Sequence, residues 1–163
     1  MAEIIKYGLL GNQALYQKLL DLTEPLSPSS PFLSKIIHQC CLDKAHIVQA
    51  DERESATQGG RALLNLGHTF AHAIEAVAGY GHYLHGEAVA IGLVCAFRLS
   101  KKMGFCANGS EADLTSLLEA YNLPIMLEEP LSVTNLMNAM QNDKKVITGN
   151  LRFVLMKEIG STF

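Results

Sequence analysis

The sequence predicts a mainly α-helical domain with at most one short strand near the C-terminus. Three observations carry that reading. Apolar residues recur at steps of three and four, as at Leu33, Ile36, Ile37, Cys40 and Cys41. The stretch 85–102 is apolar almost throughout and too long for a strand. Only 151–157 has a strand-like pattern.

The elements follow in order. Helical spacing covers 2–20, where Gly8 and Gly11 are placed to weaken or kink the helix. Pro25, Pro28 and Pro31 alternate with Ser27, Ser29 and Ser30, so 23–31 is a loop. A second helix is predicted over 32–49, and the polar run 51–60 closes in a loop at the Gly59-Gly60 pair. The segment 61–78 reads as one continuous helix, 79–82 as a turn, and 85–102 as a buried helix that stops near Gly104. A helix over 110–123 has Ser110 or Asn108 as its N-cap, and one over 132–142 has Ser132. Pro124 and Pro130 bracket the loop between them, which makes about six helices in all.

Composition narrows the function. A chain of 163 residues suits one domain, burying about 70% of its unfolded surface. With 48% hydrophobic and 18% charged residues it has the material for a core and is not a disordered chain. A net charge of -3 excludes a broad nucleic-acid face but leaves room for a local basic pocket that takes a small anion. The apolar run 88–97 is about half the ~20 residues of a membrane span, and no basic-then-apolar leader opens the sequence. Cys40, Cys41, Cys95 and Cys106 have no CxxC spacing, which points to reduced thiols in a cytoplasmic protein.

The strongest chemical pattern lies in 61–75. Arg61, Asn65, His68, His72 and Glu75 are separated by 4, 3, 4 and 3 residues, which places them on one face of a helix. A solvated face ordinarily carries lysine and glutamate; this set has the composition of a site. His68 and His72 have the i,i+4 spacing of a helical metal pair without the glutamate of HExxH. Spacing leaves open whether both bind metal or whether one meets a substrate. His85 and Glu87 open the apolar helix, where Glu87 suits a helix N-terminus and Gly86 permits close approach to His85. His82 reads as solvated, and His38 and His46 as structural or surface residues. Glu3 with Lys6, Lys44, and the Lys144-Lys145 pair read by themselves as ordinary solvated charges.

Taken together, several blocks are similar in content and order to 3-dehydroquinate synthases. They are 1–8 (MAEIIKYG), 51–54 (DERE), 61–75 (RALLNLGHTFAHAIE), 85–92 (HGEAVAIG) and 143–145 (DKK). The resemblance covers nearly the whole chain and implies the helical C-terminal domain of the dehydroquinate synthase-like fold. It implies Glu3, His68 and His85 as ligands of Zn2+ or another divalent metal such as Co2+. It places Lys6, Lys44, Arg61, Leu64, Asn65, His72 and Lys144 or Lys145 around a sugar phosphate. Glu54, His72 and Lys44 are the implied catalytic groups. The implied reaction turns 3-deoxy-arabino-heptulosonate 7-phosphate into 3-dehydroquinate and phosphate, in the shikimate pathway.

The resemblance also implies NAD, held by an N-terminal Rossmann-like domain, and a cytoplasmic homodimer. Other readings are a related sugar-phosphate cyclase or polyol dehydrogenase, and a non-catalytic metal-binding domain. The sequence departs from the family pattern in places. Seven positions separate Glu54 from Arg61, so 55–60 contains a three-residue insertion relative to the family, and Ala71 replaces a common glycine. No GxGxxG occurs, and the chain corresponds to the family's second half without its last segment, so an isolated or shortened domain that does not turn over substrate alone is expected.

Overall fold

A computed structural model describes residues 1–56, 59–107, 109–142 and 151–163. The segment 2–20 folds as two helices, α1 (Ala2–Leu10) and α2 (Gln13–Leu20). Asn12 starts the second by accepting a hydrogen bond from Leu15 N at 3.0 Å, and its amide donates to Asp43 at 2.7 Å. Gly8 lets the two helices touch, because a Cβ there would lie 2.9 Å from the Tyr16 Cβ. Helix α3 (Leu33–Ala50) follows the proline-serine loop, close to its predicted bounds.

The continuous helix expected over 61–78 does not form. A 3-10 helix, Gly60–Asn65, comes first, and α4 (His68–Ala78) begins after a break at Leu66 and Gly67. The cause lies in α5 (His85–Lys102), which runs beneath the break. Gly67 has φ +77° and its backbone rests on Gly92. A Cβ on Gly92 would collide with the Gly67 carbonyl, and one on Gly67 would lie 2.9 Å from Leu93 N. Local spacing favoured a helix; close contact between two backbones interrupts it.

Helix α5 is the centre of the domain and packs against α1, α4, α6 and the C-terminal hairpin. From Ala88 to Val94, and again at Ala96 and Phe97, its residues are buried. Its alanines and glycine admit neighbours closely, while Val89, Leu93 and Phe97 fill the space between them; each such large side chain contributes about 1.5–3 kcal/mol. Glu87 accepts from Leu84 N at 2.8 Å, the N-terminal role its position suggested.

Helix α6 (Glu111–Glu119) is capped by Ser110, which accepts from Asp113 N at 3.1 Å. It ends before 123, in a turn through Asn122 at φ +54°. Asn108, the other cap candidate, lies outside the described residues. Helix α7 (Val133–Asn142) crosses α4, with Ser132 at its start accepting from Asn135 N at 3.4 Å.

In place of the single strand expected over 151–157, a short hairpin forms later in the chain, β1 (Met156–Glu158) paired antiparallel with β2 (Ser161–Thr162). Buried Ser100 accepts from Met156 N at 3.0 Å and donates to Ala96 O at 2.7 Å, tying the hairpin to α5. Gly160 N and the Thr162 hydroxyl donate to Leu9 O and Leu10 O, satisfying carbonyls at the end of α1. The described residues thus hold seven α-helices, a 3-10 helix and one hairpin, a mainly α fold as predicted. None of these helices is long and apolar enough to cross a membrane. All four cysteines are free thiols.

Candidate active site

Three helix starts converge. Glu3 lies in the first turn of α1, His68 is the first residue of α4, and His85 is the first residue of α5. One ligand atom from each lies within 4.8 Å of the other two. These residues are 65 and 17 positions apart in sequence, and the break at Gly67 is what allows α4 to begin at His68.

The donors fit a divalent ion. His68 Nδ1 lies 3.1 Å from Leu66 O, a carbonyl that can only accept, so the ring places its proton there and turns the Nε2 lone pair outward. That lone pair meets Glu3 Oε1 at 3.3 Å, and this oxygen is buried without a hydrogen-bond partner. Two acceptors facing each other call for a cation between them. Tetrahedral zinc, with bonds of about 2.0–2.1 Å, spaces its ligand atoms about 3.3 Å apart. Two imidazoles and a carboxylate leave such an ion open positions, the pattern of catalytic sites.

Burial pushes the Glu3 carboxyl up, but in metal-free protein at low pH a charged His68 ring, which then donates to Glu3, and the Lys6 ammonium outweigh it and hold the group at about 2, below the ordinary 4.5. A depressed folded-state pKa stabilises the fold above pH 4.5, and that stabilisation is lost as pH falls through about 2. Metal-free protein is therefore expected to lose stability over this window, and Glu3→Gln to flatten that part of the profile. Chemical denaturation at stepped pH checks it; identical slopes for the two proteins would remove Glu3 as the source.

A cleft of about 370 Å³ opens over the triad. Lys6, Lys44 and Arg61 supply its positive charge, and Glu54, Leu64 and Asn65 also line it. Lys6, only 4% exposed, is not the solvated lysine its sequence context suggests. Its ammonium donates to Leu64 O at 2.9 Å and pairs with Glu3 at 2.7 Å, two of its three donors. Lys44 reaches the cleft from exposed positions of α3.

Asp51 anchors the described residues on either side of the site's Glu54 and Arg61. Its carboxylate accepts from Ser55 N at 2.8 Å, Ala56 N at 3.3 Å and Arg61 N at 3.0 Å. The bonds to these amides hold its pKa below the usual carboxylate range. Glu54 lies at the cleft, 3.9 Å from the Arg61 guanidinium, with φ +51°. That left-handed backbone is unusual for glutamate, a local strain of the kind concentrated at functional sites.

The single-helix stripe needs correction. Arg61 and Asn65 lie on the 3-10 helix, and His68, His72 and Glu75 on α4. The stripe then divides by role. His68 joins the triad, while His72 stays outside the cleft lining, its ring 5.6 Å from His68 and 6.2 Å from His85. Lys144 and Lys145 lie outside the described residues. Tyr7, which lines the cleft, was missed because beside Lys6 it resembles any core tyrosine. Burial, then Glu3, pushes its phenol up to about 12, so at neutral pH it is a hydrogen-bond donor.

Comparison with solved structures identifies the fold. A 2-epi-5-epi-valiolone synthase from Streptomyces hygroscopicus, with NAD+ and Zn2+ bound, superposes at TM-score 0.77 over 99% of this chain and 44% of its own, at 18% identity. A 2-deoxy-scyllo-inosose synthase complexed with carbaglucose-6-phosphate, NAD+ and Co2+ gives 0.73 over 100% and 45%, at 21% identity. The chain shares the fold of the matching part of these two synthases.

Sequence similarity narrows this further. The chain belongs to the 3-dehydroquinate synthase C-terminal family, whose model matches residues 1–146. Among curated relatives, the 3-dehydroquinate synthase of Opitutus terrae is 56% identical over 98% of this chain and 44% of its own. That of Ruthia magnifica is 44% identical over 100% and 45%. The chain thus spans less than half the length of these relatives.

Proposed function

We propose that this chain is the metal- and substrate-binding half of a 3-dehydroquinate synthase. The whole enzyme converts 3-deoxy-arabino-heptulosonate 7-phosphate to 3-dehydroquinate and phosphate, as a cytoplasmic homodimer of the shikimate pathway. The observation that carries this reading is the Glu3, His68 and His85 donor set at a cleft with three cationic side chains. A sugar-phosphate analogue in the 2-deoxy-scyllo-inosose synthase supports the substrate class.

Glu3, His68 and His85 would hold Zn2+ or Co2+, which supplies Lewis-acid polarisation of substrate hydroxyl and ketone groups. Lys6 keeps its third N–H for the substrate, and Arg61 offers a planar fork suited to carboxylate or phosphate. Lys44 adds a mobile cation at the rim, with Lys144 or Lys145 as a further anion contact. Leu64 packs against the substrate and Asn65 hydrogen-bonds it. Glu54 accepts a proton at its carboxylate, and His72 exchanges one at a ring nitrogen. NAD, on this reading, is held by a separate nucleotide-binding half of the whole enzyme.

Calorimetric titration of carbaglucose-6-phosphate into zinc-loaded and metal-free protein tests the reading. Binding should require metal. His72→Ala should keep full zinc content while weakening the analogue about tenfold, the worth of one or two hydrogen bonds. Zinc loss in His72→Ala as complete as in His68→Ala would make His72 a ligand and redraw the site.

A further inference from the structure

We propose that Glu75 is a positioning residue for the metal centre: its carboxylate holds the His85 ring with Nδ1 protonated and Nε2 presented as the ligand atom. This rests on the metal reading above and gives a role to the one residue of the 61–75 pattern that the substrate site does not use. Glu75 lies two turns along α4 from His68, and its Oε1 is 3.1 Å from His85 Nδ1. Its side chain is only 16% exposed, against 52% for His85. A largely enclosed carboxylate therefore grips a half-exposed ring across the α4–α5 contact.

The two histidines need different anchors. His68 is 13% exposed, and its Nδ1 is tied to Leu66 O within the chain break that precedes α4. His85 opens α5, is half-exposed, and has the Glu75 carboxylate, not a main-chain carbonyl, at its Nδ1. Without a partner at Nδ1, a neutral imidazole is free to place its proton on either nitrogen and to rotate about its side-chain bonds. An ionised carboxylate accepts only, so bonding to Nδ1 selects the Nδ1–H tautomer and leaves Nε2 unprotonated.

Charge adds to this. His68 and His85 stand at helix N-termini, whose partial positive charge opposes a nearby dication. Lys6 adds a further positive charge beside Glu3. Glu3 alone must answer these charges in the triad, so the ion depends on both imidazole lone pairs, the second of which Glu75 fixes through the His85 ring.

The test uses the full 163-residue chain, its Glu75→Ala and Glu75→Gln variants, and each paired with His85→Ala. Competition titration with Zn2+ should show Glu75→Ala weakening affinity about 10–100-fold. Glu75→Gln, whose amide oxygen still accepts from Nδ1, should lose less than about tenfold. In the His85→Ala background, Glu75→Ala should cause no further loss. An equal further loss there would assign Glu75 a general structural role and overturn the proposal. Long-range proton–nitrogen NMR on metal-free protein gives a second readout. His85 should be the Nδ1–H tautomer in the parent and shift toward Nε2–H in Glu75→Ala. If the parent binds no Zn2+, the metal reading fails. The tautomer measurement still decides whether Glu75 positions His85, and an unchanged tautomer in Glu75→Ala overturns it.

Discussion

Replacing His68 with alanine should weaken divalent-metal binding by more than about 100-fold, beyond the effect of losing a supporting group. The same loss is expected for His85→Ala, and the two should not add when combined, because either leaves the ion short of a ligand. His68 carries the larger structural share: its ring is the more enclosed and bonds Leu66 O at 3.1 Å. His68→Ala should therefore also cost about 1 kcal/mol of metal-free stability, while His85→Ala, at a half-exposed position, should cost less. Elemental analysis after chelation and reloading reads the first effect, and thermal unfolding reads the second. Full zinc content in both variants would show that the convergence of the three helix starts serves another purpose.

Among the described glycines, Gly92→Ala should be the most destabilising alanine substitution. Its new Cβ would meet the Gly67 carbonyl and stand 3.3 Å from Ala71 N, both backbone atoms that cannot swing aside. Overpacking of this kind costs about 3 kcal/mol, or roughly 10 °C in Tm for a chain of this length. Gly67→Ala should follow closely, since it combines φ +77° with a 2.9 Å approach to Leu93 N. Both changes also reach the site: pushing Gly67 off α5 moves His68, the next residue, relative to His85. Metal affinity should therefore fall along with Tm. A Gly92→Ala protein that melts within about 2 °C of the parent would mean that the α4–α5 contact is looser than its geometry requires.

The parts of the fold that were legible in sequence are those set by local chemistry. Helix α5 has its predicted bounds because its apolar run is bracketed by Glu87, able to cap it, and by Gly104. Ser110 caps α6 as its position suggested. The proline-serine loop and the turn before His85 also fall where their residues placed them. What failed was continuity. The segment 61–78 has good helical spacing, and nothing within it shows that Gly67 must rest against Gly92, 25 residues later. Likewise 2–20 carries apolar residues throughout, yet Asn12 as a cap and Gly8 against Tyr16 divide it in two.

The candidate site divides in the same way. By itself the sequence determined the kinds of groups available: histidines and a glutamate that suit zinc, cations that suit an anionic substrate, and a block order similar to one family. Their side-chain chemistry is intrinsic and survives any arrangement of the chain. Tertiary structure alone decided which groups meet. It buried Lys6 against Leu64 O and Glu3, drew Tyr7 into the cleft, and kept His72 outside the cleft lining. It brought Glu75 to His85 across two helices. Residue spacing describes neighbours along one helix, whereas ligand sets and electrostatic pairs form between helices, where distance is set by how closely backbones pack.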